Sequence, residues 1–171
     1  MSKKVLLHMC CAPCSVYPAE VLEQKNLFFE GLFYNPNIHP IEEYNKRKYN
    51  VELFSQKKNI RVSYIDDFQE EKWKNFSGNN SDRCIMCYTS RINTCAEYAA
   101  THGFDYFTTT LLASPYQNHE LIKKLAEEAQ KTYGVEFLYE DFRPGFRQGQ
   151  QKAKEMGLYR QKYCGCILSL R

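Results

Sequence analysis

The chain has 171 residues and 20.2 kDa, long enough to bury an ordinary apolar core as one domain without disulfide staples. No stretch approaches the roughly 18 to 20 apolar residues that cross a bilayer, and the apolar run of MSKKVLLHMCC is too short for a secretory signal, so a cytosolic protein with no membrane partner is expected. Net charge is only +3, yet from Phe142 to Arg171 seven basic residues (Arg143, Arg147, Lys152, Lys154, Arg160, Lys162 and Arg171) face Glu155 alone.

Taken in order, KVLLHM reads as a buried strand, and SVYPAEVLEQK as a helix capped by Ser15 with Pro18 in its first turn. FFEGLFY is a strand. NPNIHPIEEYNKRKYNVELFSQKKN is a turn leading into a helix, and IRVSYID is the next strand. That order is the signature of a parallel sheet. A loop carries Trp73 and SGNNSD, after which Asp82 caps a helix from Arg83 to about Thr101. Strand DYFTTTLL, a helix from about Asn118 to Tyr133, strand VEFLYED and a helix near Phe146 to Met156 complete the alternation. The expectation is a single α/β domain over 1–171, a parallel sheet flanked by helices, with segment 142–171 completing the active site.

Seven of the eight cysteines fall in three short clusters: Cys10, Cys11 and Cys14; Cys84 and Cys87; Cys164 and Cys166. In a reducing compartment such spacings point to metal ligands or catalytic thiols. Cys10 and Cys11 follow the first strand, at the carboxyl edge where open α/β sheets bind ligands. Cys84 and Cys87, three apart, share a face in the first helical turn, where the helix dipole favours thiolate. Cys14 either joins the metal site or packs. Neighbouring thiolates rarely point at one ion, so Cys10 beside Cys11 favours a multi-iron cluster over tetrahedral zinc. Cys164 and Cys166 suit a strained, reducible disulfide or a metal-binding pair. Cys95 lies on the apolar stripe Tyr88, Ile92, Cys95, Ala99 and belongs to the core.

The motifs LLHMCCAPCS, FYNPNIHPIEEYNKR, RCIMCYTSRI, FTTTLLASPYQN and LYRQKYCGC, in that order, resemble the QueH family of epoxyqueuosine reductases over nearly the whole chain. The resemblance implies a HUP-type, Rossmann-like α/β fold and reduction of the epoxide of epoxyqueuosine, at the wobble position of certain tRNAs, to the alkene of queuosine without cobalamin. It also implies a 4Fe-4S cluster on Cys10, Cys11, Cys84 and Cys87, with Cys164 and Cys166 as a redox-active pair. Epoxide reduction needs two electrons, and one such cluster normally moves one at a time. Cys164 and Cys166, or a second mononuclear iron near them, would supply the remainder, with an external electron donor behind both. His8, Asp82 and Tyr163 neighbour the cysteines and are the candidate proton donors. Binding of the anticodon loop falls to basic Arg143, Arg147, Arg160 and Lys162, and to aromatic Tyr116, Tyr159 and Tyr163, because unstacked bases stack on aromatics and phosphates attract cations.

Two other classes use some of the same features. A zinc-stabilised RNA-binding module would share the clusters and the basic segment, whereas a thiol-disulfide oxidoreductase would leave several cysteines unexplained. There is no GxxxxGK[ST] or GxGxxG, and MCCAPCS stands where a nucleotide loop would follow the first strand.

Overall fold

In the computed structural model, which describes residues 3–169, five strands form one parallel sheet: β1 Lys4–His8, β2 Phe28–Phe33, β3 Val62–Tyr64, β4 Tyr106–Thr109 and β5 Glu136–Phe137. Arg171 lies outside the described residues. The spatial order is β3-β2-β1-β4-β5. The chain therefore steps outward from β1 on one side, then returns to build the other. Order reverses between β1 and β4, and doubly wound sheets open a ligand crevice beyond the carboxyl ends at such a point.

Central β1 is buried on both faces, which is why it reads as a continuous apolar run; Val5, Leu6 and Leu7 are wholly inaccessible. Leu6 packs with the layer holding Tyr88, Ile92, Cys95 and Ile122, from helices α4 (Asn80–Thr101) and α5 (His119–Tyr133). Val5 and Leu7 face the opposite layer, which holds Val16 and Leu22 of α1 (Ala12–Gln24), Phe54 of α2 (Ile41–Lys58) and Ala153 of α6 (Phe146–Glu155). Cys95 is core, as its stripe implied. Helix α6 lies close on α1 because a Cβ at Gly145 would come within 2.3 Å of three ring carbons of Tyr17.

Several boundaries depart from the sequence reading. Helix α1 starts at Ala12, and Ser15 is not its cap: Cys11 holds that position, and the Ser15 hydroxyl donates back to the Cys11 carbonyl at 2.6 Å. Pro13, whose fixed φ suits the first turn, starts the helix early and carries Cys14 into it. Asp82 does not cap α4 either; Asn79 does, accepting from the Asp82 N–H at 2.8 Å. Trp73 sits on a short helix, α3 (Glu70–Lys74), rather than in a loop. DYFTTTLL leaves the sheet after Thr109, whose hydroxyl accepts from the Leu111 N–H and starts a 3-10 turn over Thr110–Ala113.

Candidate metal and substrate site

Beyond β1 the chain passes through Met9 to Cys10 and Cys11 and then into α1, so three thiols reach the carboxyl edge of the sheet. The Sγ atoms of Cys10, Cys11 and Cys14 lie within 4.8 Å of one another. Cys10 and Cys11 are themselves 3.9 Å apart. The expectation that adjacent thiols diverge is therefore not met, since extended Cys11 hands directly to a helix and turns the chain. Spacing here gives no ground for preferring a cluster to a single ion.

Hydrogen bonds fix this trio. The Thr110 hydroxyl accepts from the Cys10 N–H at 3.0 Å and donates to Cys10 Sγ at 3.2 Å. The Gln161 amide donates to Cys11 Sγ at 2.9 Å and reaches Cys14 Sγ at 3.8 Å. Hydrogen bonds from Cys11 and then Cys14 hold the Cys10 thiol well below its usual range. Burial pushes Cys11 up, and the hydrogen bond to Cys10 pushes Cys14 up. Cys10 ionises first.

The remaining clusters meet each other. Cys84, Cys87, Cys164 and Cys166 line a cavity of about 40 Å³ together with Asn37, Trp73 and Arg91. All four are free thiols, with Cys164 exposed and Cys166 buried. No disulfide joins Cys164 and Cys166. Burial pushes Cys87 up to about 11 and also raises Cys84. That corrects the expected thiolate bias: α4 begins at Asn80, four residues before Cys84, so the dipole has faded while desolvation remains. The segment carrying Cys164 and Cys166 is tied down by Arg47 on α2. Its guanidinium donates to the carbonyls of Cys164 at 3.1 Å and Tyr163 at 2.7 Å, and to Glu43 at 2.6 Å. His39 adds two ties: its N–H donates to the Gly165 carbonyl at 2.8 Å, and its Nδ1 accepts from the Ile167 N–H at 3.2 Å.

Both thiol groups open on one larger cavity of about 450 Å³, whose wall includes Cys10 and Cys14 from one and Cys84 and Cys164 from the other. Tyr116, Tyr163 and Lys162 line it as expected. Tyr116 stands 85% exposed at the mouth, edge-on to Phe146 at 5.8 Å. Several expected residues are elsewhere. His8 faces the core with Nε2 3.1 Å from both the Tyr34 carbonyl and Asn35 Oδ1, while Nδ1 accepts from Thr109 at 2.9 Å. Burial lowers its pKa to about 4, so it is a neutral pin and not a proton donor to the cavity. Asp82 is exposed at the start of α4, outside the cavity wall. Arg143, Arg147 and Arg160 are also exposed and line neither of these two cavities, Arg143 being paired with Asp141 at 2.8 Å. Tyr159 gives its hydroxyl to Glu43 at 2.8 Å.

Sequence reading missed Arg91, Gln161 and Arg47. Arg91 had a signal, being the one charge beside the apolar stripe and four residues after Cys87. Gln161 had none and Arg47 only its pairing with Glu43 one helical turn earlier, because the thiol-bearing partners of each lie more than a hundred residues away.

A family model described as epoxyqueuosine reductase QueH matches residues 5–171. An epoxyqueuosine reductase QueH of Dehalococcoides mccartyi is 36% identical over 170 residues, covering 99% of this chain and 93% of that protein. One of Thermotoga maritima is 37% identical over 176 residues, covering 97% and 90%. Among solved structures, the U34-tRNA thiolase NcsA of Methanococcus maripaludis with its [4Fe-4S] cluster superposes with a TM-score of 0.54. It covers 94% of this chain and 58% of that one at 14% identity, a likeness of fold alone. No helix among the described residues is long and apolar enough to cross a membrane.

Proposed function

This chain belongs to the QueH family and is an epoxyqueuosine reductase, and from that premise we propose that it reduces the epoxide of epoxyqueuosine, at the wobble position of tRNA, to the alkene of queuosine with thiol-bound iron. Two electrons and two protons enter, both carbon–oxygen bonds of the epoxide break, and the oxygen leaves as water. The observation that carries the reading is the convergence of thiols from the beginning, middle and end of the chain on one cavity.

The donor sets fit iron and sulfur. Four thiolates are the usual ligand set of a 4Fe-4S cluster, and Cys84, Cys87, Cys164 and Cys166 share one small cavity. In its wall the buried Trp73 Nε1 and Asn37 Oδ1 have no hydrogen-bond partner, and an indole N–H is a donor suited to a metal-bound sulfur. These four thiols are therefore the favoured ligands of the cluster, with Cys10, Cys11 and Cys14 holding a second iron. The family resemblance pairs the cysteines differently, with Cys10, Cys11, Cys84 and Cys87 on the cluster and Cys164 and Cys166 as a dithiol. When bound, the iron centres supply electrons and a Lewis acid for the departing oxygen.

The protein's own residues prepare the substrate. Tyr116 and Phe146 at the mouth offer faces on which an extruded base stacks, and Lys162 in the wall takes a phosphate. Arg143, Arg147 and Arg160 extend that positive surface outside the cavity. Tyr163 is the one candidate proton donor that lines the cavity. Burial raises its pKa, so it stays protonated, and its hydroxyl rests on the His39 carbonyl until used. The reaction takes place in the cytoplasm and draws on an external electron donor.

Anaerobically purified protein should be brown, contain iron and acid-labile sulfide, and convert epoxyqueuosine to queuosine in tRNA. Colourless protein holding about one zinc, with no conversion, would favour the zinc-stabilised RNA-binding alternative instead. Serine at Cys164 or Cys166 separates the two ligand sets. It bleaches the cluster absorption if they are ligands and spares it, while stopping turnover, if they are a dithiol.

A further inference from the structure

Arg91 is a cation out of place. It is 4% exposed, lies on α4 one turn beyond Cys87, and has no carboxylate partner among the described residues. Its guanidinium donates to Cys87 Sγ at 3.1 Å and to the Cys87 carbonyl at 3.3 Å, and rests 5.9 Å from the Tyr88 ring centre. A buried, always-charged group is expensive unless an opposite charge answers it. The groups that answer it among the described residues are sulfurs and a phenol: Cys87 foremost, then Cys10, Tyr88 and Cys164.

Its position spans the divided site. Arg91 lines the small cavity with Cys84, Cys87, Cys164 and Cys166, and also the large cavity with Cys10 and Cys14. No other positively charged side chain that lines the large cavity donates to a thiol sulfur among the described residues: Arg47 spends its donors on backbone carbonyls and Glu43. Resting on the iron-sulfur reading above, we infer that Arg91 is the fixed counter-charge of the metal centres, a positioning residue that stabilises the added electron and so sets their reduction potential. Adding an electron to a thiolate-ligated centre adds negative charge; a buried cation beside a ligand sulfur favours that state, and low dielectric enlarges the effect.

The test compares reconstituted wild-type protein with Arg91→Gln and Arg91→Lys by redox titration of the absorption spectrum, with iron and sulfide counted in each sample. Arg91→Gln should hold the same iron as wild type and titrate at a more negative potential, while Arg91→Lys, keeping the charge, stays close to wild type. Iron retained in the lysine variant and lost in the glutamine variant would make Arg91 a structural support of the ligands and overturn the inference. An unmoved glutamine potential at full iron content, or equal shifts in both variants, overturns the inference, as does loss of iron from both. Wild-type protein that takes up no iron overturns the functional reading and the inference with it, and is recognised before any variant is compared.

Discussion

The two thiol groups are built in opposite ways. Cys10, Cys11 and Cys14 come from one stretch of five residues at the switch point of the sheet, where β1, α1 and Thr110 leave them little freedom. Cys84, Cys87, Cys164 and Cys166 join a helix to a segment nearly eighty residues later, held down by polar contacts to α2 and its approach and by apolar packing against Trp73. A local site inherits its geometry from the fold, whereas a site closed by a distant strap has its own fasteners and can fail without the fold failing.

Those fasteners are where the contrast breaks most readily. Replacing Arg47 with Met leaves Glu43 with the Tyr159 hydroxyl but no cation, and strands two backbone carbonyls in a site where Arg47 itself is 3% exposed. Losing one partner of such a buried pair costs about 3–5 kcal/mol. Denaturant midpoints should fall accordingly, and limited proteolysis should clip the chain near Tyr163 while the sheet survives. A variant as resistant as wild type would refute the strap. Lysine there should not rescue, because one ammonium cannot serve three acceptors in a fork. A smaller blow comes from Gly165→Ala. Gly165 has φ +115°, and an added Cβ would lie 3.0 Å from Arg47 Nη1 and 3.1 Å from Ile38 Cγ1. Strain of about 1–3 kcal/mol is expected, together with faster alkylation of Cys166 and an unchanged rate at Cys11, both read by mass spectrometry.

How much of this was legible in the sequence follows the same division. KVLLHM running into MCCAPCS announces a buried strand ending in thiols, because burial on both faces leaves an unbroken apolar run. Helices α2, α5 and α6 begin close to where their signals stand, and Cys95 belongs to the core as its spacing says. Legibility stops where a tertiary contact decides. Ser15 has a cap residue's chemistry, but Pro13 starts the helix first. His8 has a catalyst's chemistry, but Tyr34 and Asn35 just after β2, with Thr109 of β4, enclose it with acceptors and a hydroxyl. Nothing in RCIMC or CGC says that each pair faces the other, since Arg47 and His39, which bring the segment there, are specified by three-dimensional position alone.

On the local side the expected effects are smaller. Thr110→Val removes the hydroxyl that accepts from the Cys10 N–H and donates to its sulfur. Its loss should cost about 1–2 kcal/mol and slow Cys10 alkylation at neutral pH, because the thiolate loses a donor; an unchanged rate would remove Thr110 from the trio.

The smallest effect concerns pH and returns to the strap. Burial lowers the His39 pKa. The folded protein therefore favours neutral imidazole, whose Nε2 donates to the Pro36 carbonyl at 3.0 Å while Nδ1 accepts from the Ile167 N–H. A depressed folded pKa means that the unfolded chain takes up the proton first on acidification. The contribution of His39 is thus fully present above about 6.5, its unfolded value, and is lost as pH falls through the lower folded value. Protonation places a hydrogen on Nδ1 against the Ile167 N–H, so the strap loosens there. His39→Asn, which can still donate and accept but cannot take up the proton, should show a shallower fall of melting temperature between pH 6.5 and 5 than wild type. Parallel profiles would mean that acid reaches the strap through some other group.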